Sequence, residues 1–345
     1  MILFFARGFN LLKIISGYLI SRITKQVVHW GNPVAASFEP TNRCNLHCPE
    51  CPAGLKTLTR KSGDMSPGLF QSAINSLLPH LSYLTLYFQG EPYLSKNFFD
   101  FIAFARSNRI FVATSTNGHF LDELSVKKTV ESGLNRLIIS VDGADQESYQ
   151  TYRKGGDFDR VISGIRLLVN EKKRLKSHTP QIILQCLVLK SNEHQLDELR
   201  RLAKELGVDK LEFKTAQFYD YENGNPLMPE NPTYSRYRQE TKLQHPAHSG
   251  LQPDVHPFTG LPAHPFILKH RMPNSCFRMW SSCVITWDGK VVPCCFDKDA
   301  DHVMGDLTKQ KFSDIWRDKP YDDFRNRILK NRKSVDTCRN CTQTF

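Results

Sequence analysis

Thr41-Asn42-Arg43-Cys44-Asn45-Leu46-His47-Cys48-Pro49-Glu50-Cys51-Pro52 places three cysteines within eight residues. Three residues separate the first pair and two the second, so one short loop can present all three thiols to a single site. Such a site is one protein ligand short. A structural zinc site is closed by four ligands, whereas an open position is built for chemistry. Closely spaced thiolates also hold iron–sulfur clusters. A cubane with three protein thiolates keeps one iron free to take a small molecule.

Outward from this motif, short β-rich runs alternate with longer amphipathic segments. The predicted strands are Ala35–Glu39, Tyr83–Phe88, Ile110–Thr114, Arg136–Val141, Ile182–Leu189 and Lys210–Lys214. Between them, Phe98, Phe101, Ile102 and Ala105, and again Leu196, Leu199, Leu202, Ala203 and Leu206, recur at helical spacing and read as core stripes. Strand–helix alternation means a parallel sheet. Six units predict an α/β fold, a partial (β/α)6 TIM-like barrel, with chemistry at the C-terminal ends of the strands. The three cysteines follow the first strand, where that rule puts a site.

The expected organisation is an N-terminal amphipathic helical segment over 1–33, the barrel over 34–219, a linker or lid over 220–272 and a C-terminal unit over 273–345. Residues 220–273 hold nine of the nineteen prolines and five of the twelve histidines without periodicity, which suits a cover over the barrel mouth. His245, His248, His256, His264 and His270 match no common ligand spacing. In the last unit Val284–Val292 reads as a hairpin turning at Asp288-Gly289.

The chain has 345 residues, 40% hydrophobic and 23% charged, as an ordinary globular protein does. Of its ten cysteines, three form the motif, six fall between Cys276 and Cys341, and Cys186 stands alone in an apolar run as a small hydrophobe. Two clusters with CxxC-type spacing favour metal sites in a reducing cytoplasm over disulfides. The net charge of +11 invites an anionic partner. Much of it lies in runs such as Lys172–Lys176 and Arg325–Lys333, which read as solvated helix faces, so no nucleic-acid partner is expected. Near the start, Arg7 and Lys13 interrupt the apolar stretch Ile2–Ile20, leaving no run of about twenty apolar residues to span a bilayer. No Ala-x-Ala cleavage site follows it. Two readings stay open for residues 1–25: a peripheral membrane helix with Arg7, Lys13, Arg22 and Lys25 at the headgroups, or a helix packed on the body.

Taken together these residues resemble the radical S-adenosylmethionine (radical SAM) enzymes with a SPASM-type C-terminal domain, from about Ala35 to Cys341. Besides the three cysteines, Gln89-Gly90-Glu91-Pro92 after the second strand is similar to the family's Gly-Gly-Glu-Pro. Thr116-Asn117-Gly118 after the third strand, and Ser140-Val141-Asp142-Gly143 with Arg153 after the fourth, also resemble family motifs. Glu50 replaces an aromatic residue and Gln89 a glycine. The resemblance implies that Cys44, Cys48 and Cys51 hold a 4Fe–4S cluster, and that Gly90, Glu91, Asn117, Ser140 and Arg153 seat SAM on its open iron. One electron from a flavodoxin- or ferredoxin-type donor would then cleave SAM to methionine and a 5′-deoxyadenosyl radical, which abstracts hydrogen from substrate.

Cys276, Gly289 and Cys294 fit the SPASM spacing, with twelve and four residues intervening, and Cys338-Arg339-Asn340-Cys341 completes four ligands. The resemblance implies one auxiliary 4Fe–4S cluster and leaves Cys283 and Cys295 over, either a structural thiol, Cys295 also a substitute ligand. Sulfatase-maturing members carry an aspartate where Cys295 stands. Asp297, two residues on, is the candidate catalytic base, though a loop-capping aspartate is the commoner role. Family members of this build often modify peptides or proteins. That is the leading expectation, with a sugar, nucleoside or cofactor precursor as the alternative substrate. Outside enzymes, an iron–sulfur electron carrier or a zinc scaffold would need neither Glu91 nor Asn117.

Overall fold

Ala35–Phe38 (β1) has to find partners on both edges, because its backbone groups are buried. On one side it pairs in parallel with β2 (Tyr83–Thr85), and the order continues through β3 (Phe111–Thr116), β4 (Arg136–Ser140), β5 (Gln181–Val188) and β6 (Lys210–Thr215), every pair parallel. The computed structural model describes residues 2–240, 266–270 and 272–342. All six predicted strands are present within a residue or two of their expected ends, except β2, which stops at Thr85.

The crossovers carry helices α2 (Pro52–Leu55), α3 (Pro67–Leu77), α4 (Phe98–Ser107), α5 (Glu123–Glu131), α6 (Gln146–Tyr152), α7 (Phe158–Arg174) and α8 (Leu196–Leu206). Their starts are written locally. Ser66, Asp122, Asp145 and Asp157 each accept a hydrogen bond from a backbone N–H of the first turn, and α8 ends on Gly207 at φ +69°. α7 shows the amphipathic logic: Val161, Ile162, Ile165, Leu168 and Val169 are buried, while Lys173 and Arg174 face water.

The other edge of β1 is covered by the C-terminal residues. β7 (Tyr237–Gln239) and β8 (Phe266–Leu268) form a separate antiparallel pair. After them come α9 (Arg278–Ser281), β9 (Ser282–Ile285), β10 (Lys290–Val292), β11 (Gly305–Asp306), α10 (Phe312–Arg317), α11 (Lys319–Asn331) and α12 (Asp336–Arg339). β9 lies parallel to β1, with Ala36 opposite Cys283, so one nine-stranded sheet runs β11-β10-β9-β1-β2-β3-β4-β5-β6. The hairpin turns at Gly289, at φ +87°. An incomplete barrel leaves β1 as an open edge, and β9 closes it.

Two expectations need correction. Arg325 and Arg332, in the run read as a solvated face, are buried. Arg325 donates to the carbonyls of Met279 (3.0 Å) and Trp316 (3.2 Å), and its guanidinium lies 4.7 Å from the rings of Trp316 and Tyr321. A residue three or four places from Tyr321, Ile328 and Leu329 shares their inward side, whatever its charge. Second, α1 (Ile2–Thr24) is, by length and composition, apolar enough to cross a bilayer despite Arg7 and Lys13. One face is nevertheless docked on the body. Arg7 donates to the carbonyls of Pro79, Leu81 and Arg109, just before β2 and β3. Asn10 exchanges two hydrogen bonds with the Asn32 backbone, Ile14 is buried, and the Ser21 hydroxyl accepts from Val28 N at 2.8 Å. The opposite face exposes Phe4, Phe5, Phe9, Leu12 and Ile23, each more than 60% accessible.

Candidate active site

β1 delivers the cysteine loop into a frame of buried polar contacts. Glu39, fully buried, pairs in a fork with Arg60 at 2.5 and 2.6 Å and accepts from Trp287 N at 3.1 Å. Asn42 donates to Lys61 O and accepts from Gly63 N, fastening the loop to the chain that follows α2. Within the motif Cys51 N donates to Cys48 O and Leu46 N to the Cys44 sulfur. Gly54 packs so closely on the turn that a Cβ there would stand 2.8 Å from Cys48 N. Glu50 accepts from Tyr219 N (3.0 Å) and Asn225 Nδ2 (2.9 Å), tying the loop to the chain beyond β6.

The ends of β2, β3 and β4 converge on this loop. Gly90 sits at φ +78°, and a Cβ would meet Thr41 O at 2.6 Å, so glycine alone allows the approach. Glu91 N donates to Arg43 O at 2.8 Å. Its buried carboxylate accepts from the Thr116 hydroxyl (2.8 Å), Asn117 N (2.7 Å) and Tyr93 N (3.2 Å). Burial pushes that carboxyl up to about 7, although these hydrogen bonds pull it down. Asn117 donates from Nδ2 to Asn45, and its Oδ1 is held by His119. His119 Nε2 accepts from Asp157 N at 2.8 Å, so Nδ1 carries the proton and donates to Asn117. Arg153, capping α6, donates to the buried Asp142 carboxylate at 2.6 Å and reaches the Cys48 sulfur at 3.9 Å.

Cys44, Cys48, Cys51, Gly90, Glu91, Asn117, Ser140 and Arg153 thus line one cavity of about 440 Å³ at the C-terminal ends of the strands. The three thiols have no disulfide partners. Burial, first of all, raises Cys44 to about 11 and Cys48 in the same direction, so a cation's charge would be needed to hold them as thiolates. Among the described residues no three His, Cys, Asp or Glu groups converge tightly enough for a single metal ion. A cubane spreads its thiolates more widely than one ion does, and three soft sulfurs around a cavity fit it. The same cavity is lined by residues no motif pointed to: Tyr83, Thr85 and Tyr87, then Gln185 and Leu187, alternate along their strands. That period of two was legible. Arg236 and Lys298, also on its wall, come from irregular segments and carried no sequence signal.

A second group forms in the C-terminal unit. Cys276, Cys294, Cys338 and Cys341 lie within mutual electrostatic reach, and Cys338 and Cys341 border a cavity of about 630 Å³. Arg332 donates to the Cys341 sulfur at 3.2 Å. Cys295 stands beside this group, next to Cys341 and Arg278. Cys283 is apart, buried in the core on β9. Asp297, the candidate base, is fully buried and caps its own loop, accepting from Asp301 N (2.9 Å) and His302 N (3.0 Å). His245, His248, His256 and His264 lie outside the described residues, with residues 241–265 and 271 of the proposed lid.

Comparison with known proteins agrees with this geometry. Residues 38–203 match the radical SAM superfamily, and residues 276–342 match SPASM, an iron–sulfur cluster-binding domain. The chain is 26% identical over 331 residues to a tungsten-containing aldehyde ferredoxin oxidoreductase cofactor-modifying protein of Pyrococcus furiosus, covering 88% of this chain and 86% of that one. It is 23% identical over 322 residues to PqqA peptide cyclase of Gluconobacter oxydans, covering 90% and 82%. The fold is similar to that of Streptococcus suis SuiB bound to its precursor peptide SuiA, with TM-score 0.60 and 12% identity, over 85% of this chain and 67% of that one. With both domains matched in chain order and the cysteines of each gathered in space, the chain belongs to the radical SAM superfamily, in its SPASM-containing subgroup.

Proposed function

We propose that this radical SAM enzyme modifies a peptide or protein. In the proposal Cys44, Cys48 and Cys51 ligate the SAM-binding cluster, and Gly90, Glu91, Asn117, Ser140 and Arg153 hold SAM. Cys276, Cys294, Cys338 and Cys341 ligate one auxiliary cluster. One observation carries the assignment: all eight of the first residues line a single cavity at the strand ends. When bound, the cluster and SAM supply a 5′-deoxyadenosyl radical on receipt of an electron from a flavodoxin- or ferredoxin-type donor. The chain's own part is to position and to shield. Glu91, which keeps a lone pair free, would hold the SAM amino group, and Arg153, anchored by Asp142, would hold its carboxylate. Tyr87 and Tyr152 stand on the cavity wall.

The peptide reading is supported by the PqqA peptide cyclase relative, which spans most of the chain. A small-molecule substrate is the second reading, favoured by the cofactor-modifying relative from Pyrococcus furiosus. We propose also that the enzyme works in the cytoplasm, attached peripherally to the membrane through the exposed face of α1.

Anaerobic reconstitution with iron, sulfide, dithionite and SAM tests the reading. 5′-Deoxyadenosine is the expected product, abolished by Cys44→Ala, Cys48→Ala and Cys51→Ala together. An intact cluster that releases none sinks the assignment. Stimulation of its formation by the macromolecular rather than the small-molecule fraction of a cell extract favours the peptide or protein substrate; the reverse favours the second reading.

A further inference from the structure

Two cations share the reaction cavity with the three cysteines and have no role in the SAM site as assigned. Lys298 stands in the loop after Cys294 and Cys295, and Arg236 immediately precedes β7. They are near enough for Arg236 to disfavour the Lys298 charge. Among the described residues neither has a carboxylate partner. Arg236 donates from Nε and Nη2 to Thr215, whereas its Nη1 is buried with no hydrogen-bond acceptor. Lys298 Nζ rests 4.7 Å over the ring of Tyr219. The neighbouring carboxylate, Glu50, already accepts from Tyr219 N and Asn225.

A buried N–H without an acceptor and two like charges held together are both costly. Burial accordingly lowers the affinity of both side chains for their protons. The cysteine sulfurs explain part of this arrangement. Lys298 feels Cys51 and Cys295, and Arg236 feels Cys341. They do not supply an acceptor to Arg236 Nη1. An anion entering from the cavity would, since an arginine fork beside a lysine point charge is suited to carboxylate or phosphate oxygens.

We propose that Lys298 and Arg236 form an anion-binding subsite that holds a carboxylate or phosphate group of the substrate beside the SAM site. This rests on the cavity being the radical reaction chamber. It narrows the substrate to molecules with an anionic group close to the reacting carbon. In a peptide that is an acidic side chain or a C-terminus, and in a small molecule an acid or a phosphate ester.

The test is calorimetric titration of the reconstituted holoenzyme with SAM present and no reductant, using succinate and glycerol phosphate against the neutral succinamide and glycerol. The anions are expected to bind and the neutral compounds not to. Lys298→Met and Arg236→Gln should each weaken binding by about tenfold or more, with iron content and SAM affinity kept, and Lys298→Arg should retain it. Succinate binding alone assigns a carboxylate, and glycerol phosphate alone a phosphate. In the wild-type enzyme the bound anion should also protect Lys298 from amine acylation, read by mass spectrometry, which needs no variant to fold. Equal binding of the neutral compounds, or variants that bind anions unchanged, overturn the proposal. So do variants that lose iron or SAM instead, since the pair would then serve the clusters. Because no reductant is present, a failure of SAM cleavage would defeat the radical reading and leave this result standing.

Discussion

Glu91 accepts three hydrogen bonds from two strand ends, and its burial still leaves the carboxyl titrating near neutrality, at about 7. The sign follows directly. Below that value the buried group holds a proton and one oxygen cannot accept; above it, both oxygens face donors. SAM affinity of the reconstituted enzyme should therefore rise between about pH 6 and pH 8 and then level off. Glu91→Gln should flatten this profile and weaken SAM by about tenfold or more, because its amide N–H would face the Asn117 N–H. A profile that stays pH-dependent in Glu91→Gln, measured by equilibrium dialysis, removes Glu91 as the cause. The motif around Glu91 was legible in the sequence because close backbone approach admits only glycine at Gly90. Asp297 was not, since a base and a loop cap share one side chain and differ only in what surrounds it.

Among the elements, α1 presents one face to the body and the other to solvent. At 100° per residue, Asn10, Ile14, Gly17 and Ser21 fall on the docked face. Phe4, Phe5, Leu11, Leu12, Ile15, Leu19 and Ile23 fall opposite, with no acidic residue anywhere in the helix. Lys13 lies at the border of this stripe, and Arg22 and Lys25 add positive charge near its C-terminal end. Both readings of residues 1–25 are thus accommodated, one on each face. The docked face sits where β2 and β3 begin, whereas the cavity opens at the opposite ends of the strands, so a membrane-bound enzyme would keep its mouth free. Deleting α1 would strip the body of Ile14 and of the Arg7 and Asn10 contacts, so the stripe itself is the better target. Wild-type enzyme should float with anionic vesicles and be released by salt. Phe5→Glu, Leu12→Glu and Leu19→Glu together should abolish flotation, each forgoing about 1.5–3 kcal/mol of apolar burial. A wild type that stays with the soluble fraction, or dimerises through the stripe instead, would exclude membrane attachment.

In the whole molecule the C-terminal unit is an extension of the barrel's own sheet and also a brace for the cysteine loop. β9 runs along β1, Trp287 donates to Lys61 O, and Asp299 accepts from Thr59 N and Arg60 N. Cys294→Ala with Cys338→Ala should lower the iron content from about eight to about four per chain and leave SAM binding in place. Thermal unfolding should stay a single transition, moved to lower temperature, because the sheet is shared. Two separate transitions would mean that the units fold independently. Retention of all the iron would place the auxiliary site elsewhere.

From local pattern the sequence by itself determined the strand–helix alternation, the helix starts, the Gly289 turn and the cysteine spacing, because backbone conformation and near-neighbour geometry are set within a few residues. Only the tertiary structure decided which edge of the sheet the C-terminal hairpin closes, and that Arg325 lies inside. The same holds for the entry of Lys298 and Arg236 into the cavity. Those outcomes depend on contacts between segments tens or hundreds of residues apart. There, burial and the need to satisfy every polar group act on the folded neighbourhood, with no periodicity along the chain to record them.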